Sequence, residues 1–238
     1  MADPAGPATL ALLLLGDGRF PAGGHAHSGG MESAVADGRV RDEDGLEAFL
    51  RGRLATTARV EAALAAAATT HLDAAPDEEQ RQATLRVLDA EAAARIVVPG
   101  LRVVSRRQGR QLVRAATRCW PAPVLASVAT ARPDGVHQAV ALGAVGLAAG
   151  LAALDVARLA VHHAITTPAQ ATVRLLGLDP LAVVAMTARL GDTAEALAQE
   201  CARLAATISV ADLPAHSGPL LDLAAAGHPR LSIRLFAS

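Results

Sequence analysis

Apolar residues along this chain recur at intervals of three and four, and no stretch alternates as a half-buried strand would. Residues 9–15 are expected to form a first short helix running into Gly16-Asp17-Gly18. A glycine-rich turn follows at 21–30, then a short helix over 31–37 that Gly38 stops. Asp42 is placed as an N-cap, with Glu43 and Asp44 in the first turn where the helix dipole favours acids. Leu46, Phe49, Leu50, Leu54, Val60 and Leu64 then keep a helical period, which predicts one long helix over 43–71. Pro76 with Asp77, Glu78 and Glu79 opens the next helix, whose buried face is Leu85, Leu88, Ala92 and Ile96. Pro99-Gly100 should break or kink it. Residues 101–119 read as a further helix, ended by Trp120-Pro121-Ala122-Pro123. Residues 124–134 are the least regular, and Pro133-Asp134-Gly135 is a turn signal. An apolar helix is expected over 137–161. In it Gly143, Gly146 and Gly150 share one face, and each glycine costs about 1 kcal/mol, so this face should meet another helix closely. Pro168 and Pro180 each mark a place where a helix could begin, and 180–210 is the last clear helix, with Gly191 its weak point.

The pattern predicts an all-α, single-domain multi-helix bundle over residues 1–211, followed by a tail over 212–238. Prolines at 214, 219 and 229 interrupt that tail, yet it carries Leu220, Leu221, Leu223, Leu231, Ile233, Leu235 and Phe236. An irregular apolar segment of this kind should be covered by the domain or by a partner. Composition agrees with the helical reading. The hydrophobic fraction is 52%, dominated by alanine and leucine, and aromatics are 2%, which leaves few stacking platforms for bases or sugars. The net charge of −1 argues against broad nucleic-acid binding. Every basic residue is an arginine, which excludes lysine Schiff-base and Walker A chemistry. Arg102, Arg106, Arg107, Arg110, Arg114 and Arg118 form a local basic stretch that reads as a solvated helix face or a protein-docking surface. Cys119 and Cys201 are read as reduced thiols. The start lacks a basic n-region, and the longest charge-free apolar run, 139–154, is too short to span a membrane, so a cytoplasmic protein is expected.

The chain offers little catalytic chemistry. His25-Ala26-His27 and His162-His163 are the most metal-like features, but neither pair has cysteines or carboxylates at ligand spacing. Polar contacts are the expected role, with a nickel-binding module built on His25 and His27 as the alternative. Gly23-Gly24 and Gly29-Gly30 match neither GxGxxG nor GxxxxGK[ST], and a tight turn is the reading. Ser28 could serve as a nucleophile only with a sequence-adjacent histidine, outside any GxSxG context. Asp222 and His228 lack a third member. No enzyme, resident metal or cofactor is expected.

Four blocks in order carry a resemblance. They are the turn from Phe20-Pro21-Ala22-Gly23-Gly24 through His25, Ser28, Gly30 and Met31 to Glu32, the S-x-x-x-G-x-x-L segment at 105–112, the H-x-x-V-x-x-G start at 137–143, and the ending Pro219-Leu220-Leu221-Asp222…His228…Arg234-Leu235-Phe236-Ala237-Ser238. Together they resemble the urease accessory protein UreF family over almost the whole chain. Phe20 stands for that family's usual leucine and His25 for its usual aromatic. Val173-Arg174-Leu175 is followed by Leu176-Gly177-Leu178-Asp179-Pro180 rather than by the family's Gly-Gln element. The resemblance implies an all-α homodimer that binds UreD (also called UreH), recruits the GTPase UreG and helps deliver nickel to apo-urease. It also implies that the tail contributes to the UreD interface. Gly23, Gly24, His25, Ser28, Glu32, Asp222, His228, Arg234, Leu235 and Phe236 are the expected partner-binding residues, with Arg234 and Phe236 the foremost.

Overall fold

Caps and prolines set where the helices begin. The computed structural model describes residues 5–21, 27–227 and 235–236, and among these there are twelve α-helices and no strand. The first four are α1 (Ala5–Gly16), α2 (Met31–Ala36), α3 (Glu43–Ala55) and α4 (Thr57–Asp73). Next come α5 (Glu78–Arg95), α6 (Pro99–Cys119), α7 (Pro123–Ala131) and α8 (Gln138–Ala148). The chain continues with α9 (Ala153–Leu176), α10 (Pro180–Arg189), α11 (Gly191–Thr207) and α12 (Pro219–Gly227). Asp42, Asp77 and Asp179 each cap a helix, their side chains accepting from Gly45, Gln80 and Leu181 N–H. Pro99, Pro123 and Pro180 occupy first-turn positions, where a missing N–H costs nothing. No helix is long and apolar enough to cross a membrane, among the described residues.

The expected single helix over 43–71 is two. Thr56 leaves the helical region at φ −125° and ψ −99°, and its hydroxyl donates to the Gly52 carbonyl at 2.7 Å, meeting an acceptor at the end of α3. The expected helix over 137–161 also divides. Gly150 (φ 76°) ends α8, with Gly150 N–H donating to Leu147 O and Leu151 N–H to Gly146 O, so this glycine is a C-cap and not part of a packing face. The last long helix breaks at fully buried Leu190. Residues 124–134, expected to be irregular, are largely α7, and the tail contains α12. Pro168 does not start a helix but lies inside α9.

The centre of the molecule is α4, which packs against α8, α9 and α11. Its alanines from 62 to 68, interrupted only by Leu64, are all buried, and such short side chains let helix backbones come close. At Gly143 an added Cβ would fall 2.5 Å from the Ala65 carbonyl oxygen and would overlap the Ala68 methyl; at Gly146 it would overlap Val156. The close approach expected for this glycine face therefore holds at two of its three positions.

A second junction explains two of the sequence blocks. Ser105 Oγ on α6 accepts from Gln138 N–H at 3.0 Å, capping α8, and lies 3.1 Å from His137 Nδ1. Asp89 on α5 accepts from His137 N–H at 2.9 Å and pairs with Arg106 at 2.9 Å, while Arg106 also donates to the Gly135 carbonyl. Gly109 must be bare because a Cβ would overlap the Val136 carbonyl. The serine, glycine and histidine of these blocks thus lock α6 to the start of α8.

Gly143→Val is expected to lower the thermal midpoint by several degrees. Overpacking costs about 1–3 kcal/mol, and in a chain of this size each kcal/mol is worth about 2–4 °C. Gly52→Ala, whose added methyl meets nothing within 4 Å, should be neutral or stabilising. Calorimetry on the two variants checks both signs.

Candidate functional site

The glycine-rich turn and the C-terminal segment, more than 180 residues apart in sequence, meet at α2. Gly29 and Gly30 take positive φ values of 61° and 88°, so the chain turns sharply into α2 at residues with no Cβ penalty. Ser28 Oγ accepts from Glu32 N–H at 3.2 Å and caps that short helix. Glu32 and Ser33 face the other way. The Glu32 carboxylate accepts from Leu235 N–H, and Ser33 Oγ donates to the Ala224 carbonyl at 3.3 Å. A Cβ on Gly30 would come within 3.3 Å of Leu221. Phe236 is buried, with the Arg174 guanidinium of α9 lying 5.8 Å from its ring centroid.

Pro168 holds this corner to the core by an indirect route. Proline has no N–H, so the Ala164 carbonyl four residues earlier has no helical donor. Arg53 Nε donates to that carbonyl at 3.2 Å, and Arg53 Nη1 donates to Gly29 O at 2.8 Å. One guanidinium therefore ties α3, α9 and the turn together.

Beneath the corner lies a cavity of about 440 Å³, bordered among others by Phe20, Gly30, Arg53, Glu61, Asp222 and Phe236. Glu61 faces this space. Enclosure pushes its carboxyl pKa up, opposed by the Arg53 charge 3.9 Å away. Burial also pushes Asp222 up. His27 is lowered, chiefly by burial and then by the Arg107 charge. Phe20 stacks on Trp120 with centroids 6.0 Å apart, which carries the start of the turn to the end of α6.

His162 and His163 act at α1. Their Nε2 atoms reach the Gly16 and Leu15 carbonyls at 3.2 and 3.0 Å, meeting acceptors that a helix end leaves open. Among the described residues, no three or more His, Cys, Asp or Glu side chains cluster as metal ligands would.

Of the ten residues singled out from the sequence, Ser28, Glu32, Asp222, Leu235 and Phe236 come together at this corner. Gly23, Gly24, His25, His228 and Arg234 lie outside the described residues. Phe236 is turned into its own chain, while Leu235 is 65% exposed. Leu220 and Leu223 on α12 are also largely exposed, as are Leu10, Leu13 and Leu14 on α1. Sequence reasoning missed Arg53, Ser33 and Arg174. The only signal for Arg53 was an interior proline, whose consequence lies 111 residues away.

Fold and corner together define an all-α protein in which two chain-distant segments close into one partly covered cluster. A family model for UreF matches residues 40–191. The urease accessory protein UreF of Mycolicibacterium vanbaalenii is 43% identical over 227 residues, covering 95% of this chain and 97% of that protein. The protein of the same name from Mycobacterium marinum is 41% identical over 231 residues, covering 97% and 99%, and that of Mycobacterium tuberculosis is 40% identical over 227 residues. The chain belongs to the UreF family.

Two stability outcomes follow from the geometry. Arg53→Ala strands two carbonyls in a part-buried setting, and a fully buried orphan costs about 1–3 kcal/mol, so urea unfolding should show a loss of about 1–2 kcal/mol in total. Arg53→Lys, with a single nitrogen, should recover less than half. The pH dependence has a defined sign. Burial, with a contribution from His162, lowers the His163 pKa from 6.5 to about 4. The unfolded chain therefore takes up a proton in that window and the folded chain does not, so this stability is full above 6.5 and falls toward pH 4, by about 1.4 kcal/mol per pH unit. Glu61 and Asp222, shifted upward, act in the opposite sense. The difference between wild type and His163→Gln in urea midpoints isolates the histidine, and should shrink steadily on acidification from pH 6.5 to 4.

Proposed function

We propose that this chain is a urease accessory protein that works by docking. In this reading it bridges UreD (UreH) and the GTPase UreG during maturation of the urease nickel centre, acting on apo-urease as a homodimer. Membership of the UreF family and the names of its relatives support the urease assignment. The observation that carries the docking reading is the state of the C-terminal segment. Phe236, Ser33 and Glu32 anchor it on one side, while Leu220, Leu223 and Leu235 stay 62%, 70% and 65% exposed on the other. Exposed leucines on a segment anchored from its other side favour a protein partner, because part of the ordering cost is met before association. Residues 212–238 then serve as the docking tail of the helical body over 1–211. Nickel is cargo here, and this chain's contribution is to position the proteins that carry it.

Truncation of residues 219–238 should abolish co-purification with UreD while circular dichroism loses only the helicity of α12. Leu220→Ser with Leu223→Ser keeps the segment in place and should weaken the same complex by about tenfold or more, as expected for apolar anchors. Unchanged recovery of UreD with both variants would refute the role given to the tail.

A further inference from the structure

α6 carries six arginines in 21 residues and no aspartate or glutamate. Two are engaged within the chain, Arg106 by Asp89 and Arg102 by the Ile96 carbonyl. Arg107, Arg110, Arg114 and Arg118 are all exposed and make no ion pair or hydrogen bond among the described residues. Their spacing of three, four and four places them on one face, a row about 16 Å long at 1.5 Å per residue. The opposite face, with Gly109, Leu112, Val113 and Ala116, is buried, so the row points outward.

Most exposed arginines elsewhere among the described residues are matched, and the unmatched ones, Arg41, Arg86 and Arg203, each stand singly on a separate segment rather than in a row. Arg19 pairs with Asp17, Arg51 and Arg189 with Glu47, Arg132 with Asp134, and Arg158 with Glu195. Helical i,i+4 pairs of glutamate and arginine are also used, at Glu47/Arg51 and Glu91/Arg95. On α6 that device is absent, and neighbouring like charges one turn apart disfavour the helix they sit on. Four such positions in one row break a local rule with no gain inside the chain, which is the pattern of a surface completed from outside. The row also lies beside the docking corner, since Arg107 is close enough to His27 to act on its charge and α12 touches α6.

We propose that the α6 arginine row is a second docking surface, and that its occupant is a protein face bearing carboxylates at one-turn spacing. Guanidinium forks match carboxylates in a bidentate manner, and a row of them fixes register as well as attraction. A phosphate polymer fits less well, because the chain has a net charge of −1 and 2% aromatics, leaving neither a broad positive field nor stacking platforms. Only the choice of partner proteins for the test rests on the urease reading.

The test compares the full chain with Arg110→Glu/Arg114→Glu/Arg118→Glu. The variant should fold with unchanged circular dichroism and a thermal midpoint close to or slightly below that of wild type, because glutamates at the same spacing repel as the arginines did and sit toward the helix C-terminus. Titration with UreD, UreG and apo-urease should show at least one of them bound about tenfold or more weakly by the variant. For wild type, that same complex should weaken with added salt. A partner-independent arm uses a helical peptide with glutamate at every fourth position among alanines, with a scrambled peptide as control. Wild type should bind the spaced peptide more tightly than the scrambled one, and the variant should bind neither. Equal binding of every protein and both peptides by the two chains overturns the proposal. So does preference of wild type for an RNA duplex or an anionic vesicle over the spaced peptide. Binding of the peptide by wild type without binding of any urease component would refute the urease reading and leave the row's chemistry standing.

Discussion

The arrangement of the corner depends on a carbonyl that a proline leaves without a partner. Pro168 cannot donate to Ala164 O, and Arg53 does so instead while also holding Gly29 O. An interior proline normally costs a helix a bond and gains nothing. Here the lost bond becomes the attachment point for the turn that leads into α2. From α2 the connection continues through Glu32 and Ser33 to the C-terminal segment, and from α9 through Arg174 to Phe236. Both routes start on α9, which is rigid because it packs on α4. The core's small residues matter for this reason: the alanines of α4 and Gly143 of α8 bring the central helices close enough to make α9 a fixed platform.

Such a platform explains why the tail presents its leucines in order. α12 is nine residues long and would be marginal alone. Packed on α2, it keeps Leu220 and Leu223 on its outer side, and Leu235 is exposed as well. The arginine row of α6 adds charge to one side of the same region. Apolar contact supplies most of the affinity in such surfaces, and charge supplies register and rate.

Helix identity was legible because period and caps agree, as at Asp42 and Asp77. Helix boundaries were less so. The break at Thr56 has no glycine or proline at the break itself, and only the backbone angles of that residue reveal it. Gly150 reads equally well as a packing glycine or a stop, and only the backbone angle decides. α7 and α12 escaped notice because prolines that can start a helix were read as punctuation. At the site, the turn and the tail were visible as motifs, and their meeting at Glu32 and Phe236 was not, since nothing local encodes a contact across 200 residues. Arg174 stood in a recognised block without a role until Phe236 was found beside it.

The most direct measurement is hydrogen exchange of the full chain, alone and with UreD. The account expects amides of α2, the C-terminal part of α9 and α12 to gain protection together when UreD binds, because they form one mechanical unit. Protection confined to other helices, or reaching α12 while α2 and α9 stay unchanged, would contradict it.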